Sequence, residues 1–384
     1  MKRKVCVVVT ARPSYSRIKT ALLALRDHKD VELQLVIAAS AVLDRYGSVV
    51  KVIQSDGLDI SARVYMVLEG ESLLTSAKTT GLGLMELATV FDNLKPDVVV
   101  TIADRYETIA TAIAASYMNI PLVHVQGGEI TGSIDEKVRH AITKLADYHF
   151  VASHKAAERV IRMGEEKSSV FVTGCPSIDL AAQILENPKM DFDPFERYGG
   201  VGATFKPDDD YLVVMQHPVT TEAGEARRQI TETIHAIQQV NMPTFWFWPN
   251  VDAGSENLAK GIRAYRELHR ADNIHFFKNM HPEDFLRLLY NSRQIIGNSS
   301  VAIRECVFLG VPAVNIGSRQ SGRDRGLNVI DVDYDREQIA SAIQRHLHDP
   351  RPGSDPLYGD GRAGDQIAEL LATLPLKYQK RLTY

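Results

Sequence analysis

The sequence predicts an α/β protein built from two doubly wound parallel-sheet domains, and three observations carry that expectation. Short β-branched runs alternate with amphipathic stretches along nearly all of the 384 residues. The runs are continuously apolar, as strands covered on both faces are. The alternation stops once, at "ENPKMDFDPFERYGGVGATFKPDDD", 186–210, and then restarts.

In the first half the strands are "VCVVVT", "ELQLVIA", "RVYMVL", "DVVVTI", "IPLVHV", "HFVAS" and "VFVTG". Helices are expected between them at 14–28, 72–94, 105–118 and 154–164. The segment 186–210 is rich in Pro, Gly and Asp and lacks periodicity, so it reads as a linker or irregular crossover. Beyond it "YLVVM", "TFWFW", "IHFF", "QIIG", "PAVNI" and "NVIDV" repeat the pattern, and an amphipathic stretch closes the chain. The expected domains are therefore 1–185 and 211–362, with 363–384 as a closing helix. Two such domains facing each other create a deep cleft lined by the carboxyl ends of both sheets, where ligands of open α/β sheets bind.

Composition excludes several classes. Hydrophobic residues at 45% and charged residues at 24% are those of a soluble globular protein, and a net charge of -4 offers no basic field for nucleic acid. Cys6, Cys175 and Cys306 fit neither a disulfide framework nor a zinc spacing, which points to a reducing cytoplasm. No metal and no cofactor is expected. The apolar run in "MKRKVCVVVTARP" is too short for a signal peptide, and no stretch is long enough to cross a bilayer.

Charged and polar side chains gather where strands end. In "GNSSVAIRE", 297–305, Gly297 permits a tight turn between strand and helix. The following amides and hydroxyls suit a diphosphate, and Glu305, about a turn and a half into the helix, suits ribose hydroxyls. The plainer reading is that Asn298 or Ser299 caps a helix. "GSRQSGRDRG", 317–326, adds three arginines after the next strand, solvated or facing phosphate. His217 follows "YLVVM" directly, and Pro218 keeps it out of the helical region. Arg12 in "TARPSYS" and the pair Asp104-Arg105 occupy matching places in the first domain.

The densest stretch is "HVQGGEITGSIDEKVRH", 124–140. Its "SIDE" reads as a capping box with Ser133 as N-cap and Glu136 reaching back, and Val138, Ile142 and Leu145 form a core-facing stripe. Asp135 is not needed for the cap. Arg139, four residues on, is its expected partner, either as a surface pair or as the group that fixes a working carboxylate. Gly127 and Gly128 let the backbone approach a ligand, and Glu129 faces either it or solvent.

Taken together, "TARPSYS", "ADRYE", "GGEITGSIDEKVRHAITKLADYH", "GCPSID", "QHPVTTE", "PNVDAGS", "GNSSVAIRE", "GSRQSGR" and "YGDG" resemble the UDP-N-acetylglucosamine 2-epimerases, in collinear order over nearly the whole chain. The hydrolysing branch, which opens sialic acid synthesis and includes the epimerase half of the animal bifunctional enzyme, is the more similar. The resemblance implies a GT-B-like pair of Rossmann domains. It implies expulsion of UDP from C1 with loss of the C2 proton, then hydration of the resulting glycal to N-acetylmannosamine. By resemblance Ser299, Ser300, Glu305 and Arg319 hold UDP, and Arg12, Ser16 and Arg105 reach the diphosphate. Arg139, Asn250, Met280 and Gly297 complete the binding set, while Asp104, Asp135 and His217 are the acid/base candidates. A homodimer or homotetramer is implied in the same way.

One position departs from the pattern. Many family members carry glutamate where this chain has Gln126, and an amide cannot act as a general base. Glu129 or Asp135 then takes the proton, or the position is not the base, or the substrate differs. Near relatives act on UDP-2,4-diacetamido-2,4,6-trideoxyglucose on the legionaminic acid route. UDP-N-acetylglucosamine is the first expectation and this sugar the second. A non-hydrolysing epimerase comes next, separated by whether free UDP accumulates. A UDP-sugar glycosyltransferase would need an acceptor, and a sensor would bind without turnover.

Overall fold

The computed structural model describes residues 2–43, 49–70, 72–102, 105–131, 134–206, 210–249, 255–268 and 273–383. Asp104, Ser133 and Asn250, all singled out above, lie outside these residues. The chain forms two compact units. Unit 1 comprises Met1–Glu129, Ile134–Asp179 and Tyr358–Tyr384, and unit 2 comprises Ile130–Ser133 and Leu180–Leu357.

In unit 1 the strands are β1 Arg3–Val9, β2 Val31–Ala38, β3 Ala62–Val64, β4 Val98–Ile102, β5 Leu122–Val125, β6 Tyr148–Val151 and β7 Val170–Val172. They lie in the order β3-β2-β1-β4-β5-β6-β7, and all pairs are parallel. Successive residues feed opposite faces: Val5, Val7 and Val9 enter one apolar cluster, Cys6 and Val8 the other. That double burial explains why the run is apolar without alternation. The strand order reverses between β1 and β4, the place where open sheets leave a crevice at their carboxyl edge. Arg12 follows β1 and Arg105 follows β4, so both sit at this switch point.

Unit 2 repeats the plan. Its strands are β8 Val201–Gly202, β9 Leu212–Met215, β10 Thr244–Phe247, β11 Ile274–Phe277, β12 Gln294–Gly297, β13 Ala313–Ile316 and β14 Val329–Val332. The order is β14-β13-β12-β9-β10-β11-β8, parallel except for β8 against β11. The switch point falls between β9 and β12, where His217 and the "GNSS" turn emerge. Residues 186–210, read from sequence as a linker, belong to unit 2 and carry the helix Pro194–Tyr198 as well as β8. The closing helix Ala363–Thr373 belongs to unit 1, where Asp179 accepts from the amides of Ala363 and Gly364 at 2.9 and 2.7 Å. Among the described residues no helix is long and apolar enough to cross a membrane.

Candidate active site

At the switch point of unit 2, Gly297 at the end of β12 pairs with Met215 of β9. Its φ is +132°, and a Cβ there would lie 2.2 Å from the Met215 carbonyl oxygen. Only glycine lets the two strands come this close. The next residue, Asn298, is fully buried and clasps the backbone of His217 from both sides. Its Oδ1 accepts from the His217 amide at 2.7 Å, and its Nδ2 donates to the His217 carbonyl at 2.8 Å. Arg319 and Gln320, after β13, donate to the Asn298 carbonyl at 3.1 and 2.9 Å. Three neighbouring strand ends are thus tied into one surface bearing His217, Ser299 and Arg319.

Ser299 caps a short 3-10 turn, Ser300–Ala302, with its hydroxyl accepting from the Val301 amide at 3.4 Å. Arg304 donates to the Ser300 hydroxyl at 3.0 Å. The helix itself starts only at Glu305 and runs to Leu309. Glu305 therefore opens the helix and does not lie a turn and a half inside it. The chain takes the tighter turn first, because the Ser299 cap closes on Val301, two residues on. Glu305 is buried, and its Oε2 has no hydrogen-bond partner among the described residues. A buried carboxylate oxygen left unpaired is costly, and a ligand hydroxyl would satisfy it. Glu305→Gln is accordingly expected to weaken UDP binding roughly tenfold or more, the worth of a hydrogen bond to a charged group. Calorimetric titration with UDP checks this, with the melting temperature as the control for folding.

The other members of the expected set fall into place unevenly. Of the loop arginines, Arg319 meets the "GNSS" turn at the Asn298 carbonyl, Arg323 donates to Gln320 at 2.9 Å and Arg325 pairs with Asp331 at 2.7 Å. Met280 is buried in the apolar cluster that holds Phe247 and Phe277, just beyond β11. Sequence reasoning treated Asn298 only as a possible cap. Its place directly after a strand, beside a glycine, was the available signal.

In unit 1, Arg12 heads the short helix Arg12–Ser16, with Pro13 fixing its first turn, and the Ser16 hydroxyl turns back to the Arg12 carbonyl at 3.5 Å. Arg105 is held by Glu107, whose Oε1 accepts from its Nε at 2.7 Å. Glu107 is 1% exposed, and its Oε2 has no hydrogen-bond partner among the described residues. It was not among the expected residues, although it stands two positions from Arg105. An arginine at a switch point, oriented by a buried carboxylate, is suited to a phosphate.

The loop after β5 is shaped by two left-handed residues, Gln126 at φ +66° and Gly128 at φ +75°. A Cβ on Gly128 would lie 2.3 Å from the Ala156 carbonyl oxygen, so the loop packs directly on the helix His154–Arg162. Gln126 is buried, and its Nε2 donates to the Cys175 thiol at 2.9 Å. Its side chain is thus a hydrogen-bonding one, as an amide at this place must be.

Arg139 is fully buried on the helix Ile134–Leu145 and donates to the Glu129 carbonyl at 2.9 Å and to Glu136 at 2.7 Å. Glu136, one residue beyond Asp135, is thus a carboxylate that meets Arg139. Glu136 meets Arg139 and, at 2.8 Å, His140, because positions three and four apart share a helix face; the capping box expected with Ser133 lies outside the described residues. Asp135 stays half-buried in the first turn. The core-facing stripe is as expected, with Val138 and Ile142 buried and Leu145 packed beside them.

Beneath the carboxyl end of this helix lies a charged knot. Glu165 meets Lys144 at 2.6 Å, Lys380 at 2.6 Å and His149 at 3.0 Å. Burial pushes the Glu165 carboxyl upward, but hydrogen bonds from His149, Lys144 and Lys380 outweigh it and bring it down to about 2. Burial holds His149 below its usual range. Both groups bind protons more readily in the unfolded chain, so each gives stability that is lost as pH falls. For Glu165 the loss runs from 4.5 to about 2 and amounts to roughly 3 kcal/mol. Asp147, raised by burial, acts in the opposite sense. Urea unfolding between pH 2 and 7 should show the fall, and Glu165→Gln should flatten it below pH 4.5.

Two parallel, doubly wound sheets, each with charged side chains behind the strands that flank its switch point, define a GT-B-like α/β protein. The family model described as UDP-N-acetylglucosamine 2-epimerase matches residues 23–372, and the chain belongs to that family. It is 34% identical over 379 residues, 99% of this chain and 98% of the relative, to the UDP-N,N'-diacetylbacillosamine 2-epimerase (hydrolyzing) of Legionella pneumophila. It is 29% identical to the UDP-N-acetylglucosamine 2-epimerase of Neisseria meningitidis, over 90% of this chain and 87% of that one. Among solved structures, the Neisseria meningitidis UDP-GlcNAc 2-epimerase bound to UDP-GlcNAc is similar in fold, with a TM-score of 0.80 at 19% identity over 96% of this chain and 99% of that one.

Proposed function

We propose that this protein is a hydrolysing 2-epimerase acting on a UDP-activated 2-acetamido sugar. The observation that carries the proposal is the unit 2 switch point, where Asn298 clamps His217 beside Arg319 and the serines, close in sequence to a buried Glu305 with an oxygen that has no hydrogen-bond partner among the described residues. Glu305 takes ribose hydroxyls, while Ser299, Ser300 and Arg319 take the diphosphate, to which the family resemblance also assigns Arg12 and Arg105. The C1–O bond breaks with its electron pair leaving on UDP, and the C2 proton passes to a carboxylate, giving a C1=C2 glycal. Water then adds its hydroxyl to C1 and a proton returns to C2 on the opposite face. Arginines offset the charge building on the leaving phosphate. Asp104, Asp135 and His217 divide the proton transfers, with Glu129 in reserve for the position where Gln126 cannot act.

Full-length similarity to the Legionella relative supports UDP-2,4-diacetamido-2,4,6-trideoxyglucose over UDP-N-acetylglucosamine as the preferred substrate. Steady-state release of UDP from each sugar tests this. The proposal expects turnover without any acceptor and a higher kcat/KM for the diacetamido sugar. UDP release that requires an acceptor would instead indicate a glycosyltransferase.

A further inference from the structure

Residues 375–383 follow the last helix without regular structure, yet they are fastened along unit 1. The Tyr148 hydroxyl donates to the Pro375 carbonyl. The Thr383 amide and hydroxyl both donate to the Gly164 carbonyl, at 3.0 and 3.2 Å. Lys377 pairs with Glu166 at 3.2 Å on the surface, where such a pair contributes little. Lys380 differs. Its ammonium turns inward and meets the Ala146 carbonyl at 2.5 Å, the Thr143 carbonyl at 3.0 Å and Glu165 at 2.6 Å. An ammonium has three donors, and all three are used.

Of those acceptors, the Thr143 carbonyl belongs to the last turn of the helix Ile134–Leu145 and the Ala146 carbonyl directly follows it. The last carbonyls of a helix lack partners within it and form its negative pole, so a cation there is favoured. The third acceptor, Glu165, also holds Lys144 of the same helix and His149 of β6. From the capped turn the connection continues inward. The Thr143 hydroxyl donates to the Arg139 carbonyl at 3.1 Å and lies 3.1 Å from His124 Nδ1. Arg139 in turn grips the Glu129 loop.

We propose that Lys380 is a positioning residue of this enzyme: seated by the C-terminal strap, it fixes the carboxyl end of the helix that carries Asp135, Glu136 and Arg139. The proposal rests on the functional reading above for its effect on turnover. A 12-residue helix is a rigid rod about 18 Å long, so movement at one end displaces the groups at the other. Misplacing a working group by ~1 Å costs on the order of a hundredfold in rate.

The test uses the full chain with Lys380→Met and Lys380→Arg. The methionine variant is expected to lose roughly ten- to a hundredfold in kcat. UDP affinity should stay within about twofold, since Ser299, Ser300, Glu305 and Arg319, assigned to the nucleotide, lie in unit 2. Arginine, still cationic at the helix end, should recover most of the loss. Amide exchange at 140–146 should quicken in Lys380→Met while the helix Ala226–Val240 of unit 2 keeps its protection. Unchanged kcat in Lys380→Met overturns the proposal. So does a loss of kcat accompanied by equal loss of UDP affinity and of protection in both units, or an arginine variant no better than methionine. Absence of turnover by the wild-type protein on either UDP-sugar would defeat the functional reading, and exchange at 140–146 would still decide whether Lys380 holds the helix.

Discussion

Replacing Arg139 with methionine is expected to remove about 3 kcal/mol of stability and nearly all turnover. Methionine fills the volume but gives no hydrogen bond, so the Glu129 carbonyl and the Glu136 Oε2 both lose the donor that Arg139 supplies. The Glu129 loop is buried and cannot find water in exchange. Glu136 is 28% exposed and can partly rehydrate, which keeps the cost at the lower end of the range for a broken buried ion pair. Turnover suffers because the same guanidinium holds Glu129 and the first turn of the helix bearing Asp135 in one arrangement. Urea denaturation and UDP-release kinetics read the two effects separately. Arg139→Lys should retain part of the stability but not the two-pronged geometry. An unaltered unfolding midpoint in the methionine variant would count against this account of the loop.

Asn298→Ala should be comparably damaging in unit 2. The amide and carbonyl of His217 would both be left buried without their partners, at about 1–3 kcal/mol each. His217 would also lose its fixed position, so kcat should fall about a hundredfold. Asn298→Asp keeps the acceptor for the His217 amide and loses the donor to its carbonyl, which predicts an intermediate defect. Calorimetry with UDP alongside kinetics separates the parts. Arg319 and Gln320 bond the main-chain carbonyl of residue 298, which survives the substitution. UDP affinity should therefore fall much less than kcat. Equal losses would mean that Asn298 serves the nucleotide directly.

The fold was legible because strands covered on both faces must be apolar throughout. The runs at β1 and β4 advertise this, and each charged residue that follows such a run marks a sheet edge. β8 escaped notice because two residues, Val201 and Gly202, carry no periodicity, and their pairing with β11 is made some seventy residues away. The site was legible as a set of residue types at strand ends, and much less so in its connections. Asn298 reads as a cap until β9 is known to lie beside β12. The contact of Glu136 with Arg139 is not announced by the sequence either, which offers Asp135 as the partner of that arginine. The contact of Gln126 with Cys175 joins positions 49 apart, and nothing local announces it. The strap is polar and aperiodic, so only the folded chain reveals that Lys380 ends a helix more than two hundred residues upstream.

Turnover followed by proton NMR in D2O decides whether this protein passes through a glycal. Elimination and rehydration predict free UDP together with a free 2-acetamido sugar of inverted C2 configuration that carries deuterium at C2. A released sugar that keeps its original C2 proton, or a product still joined to UDP, would contradict the account.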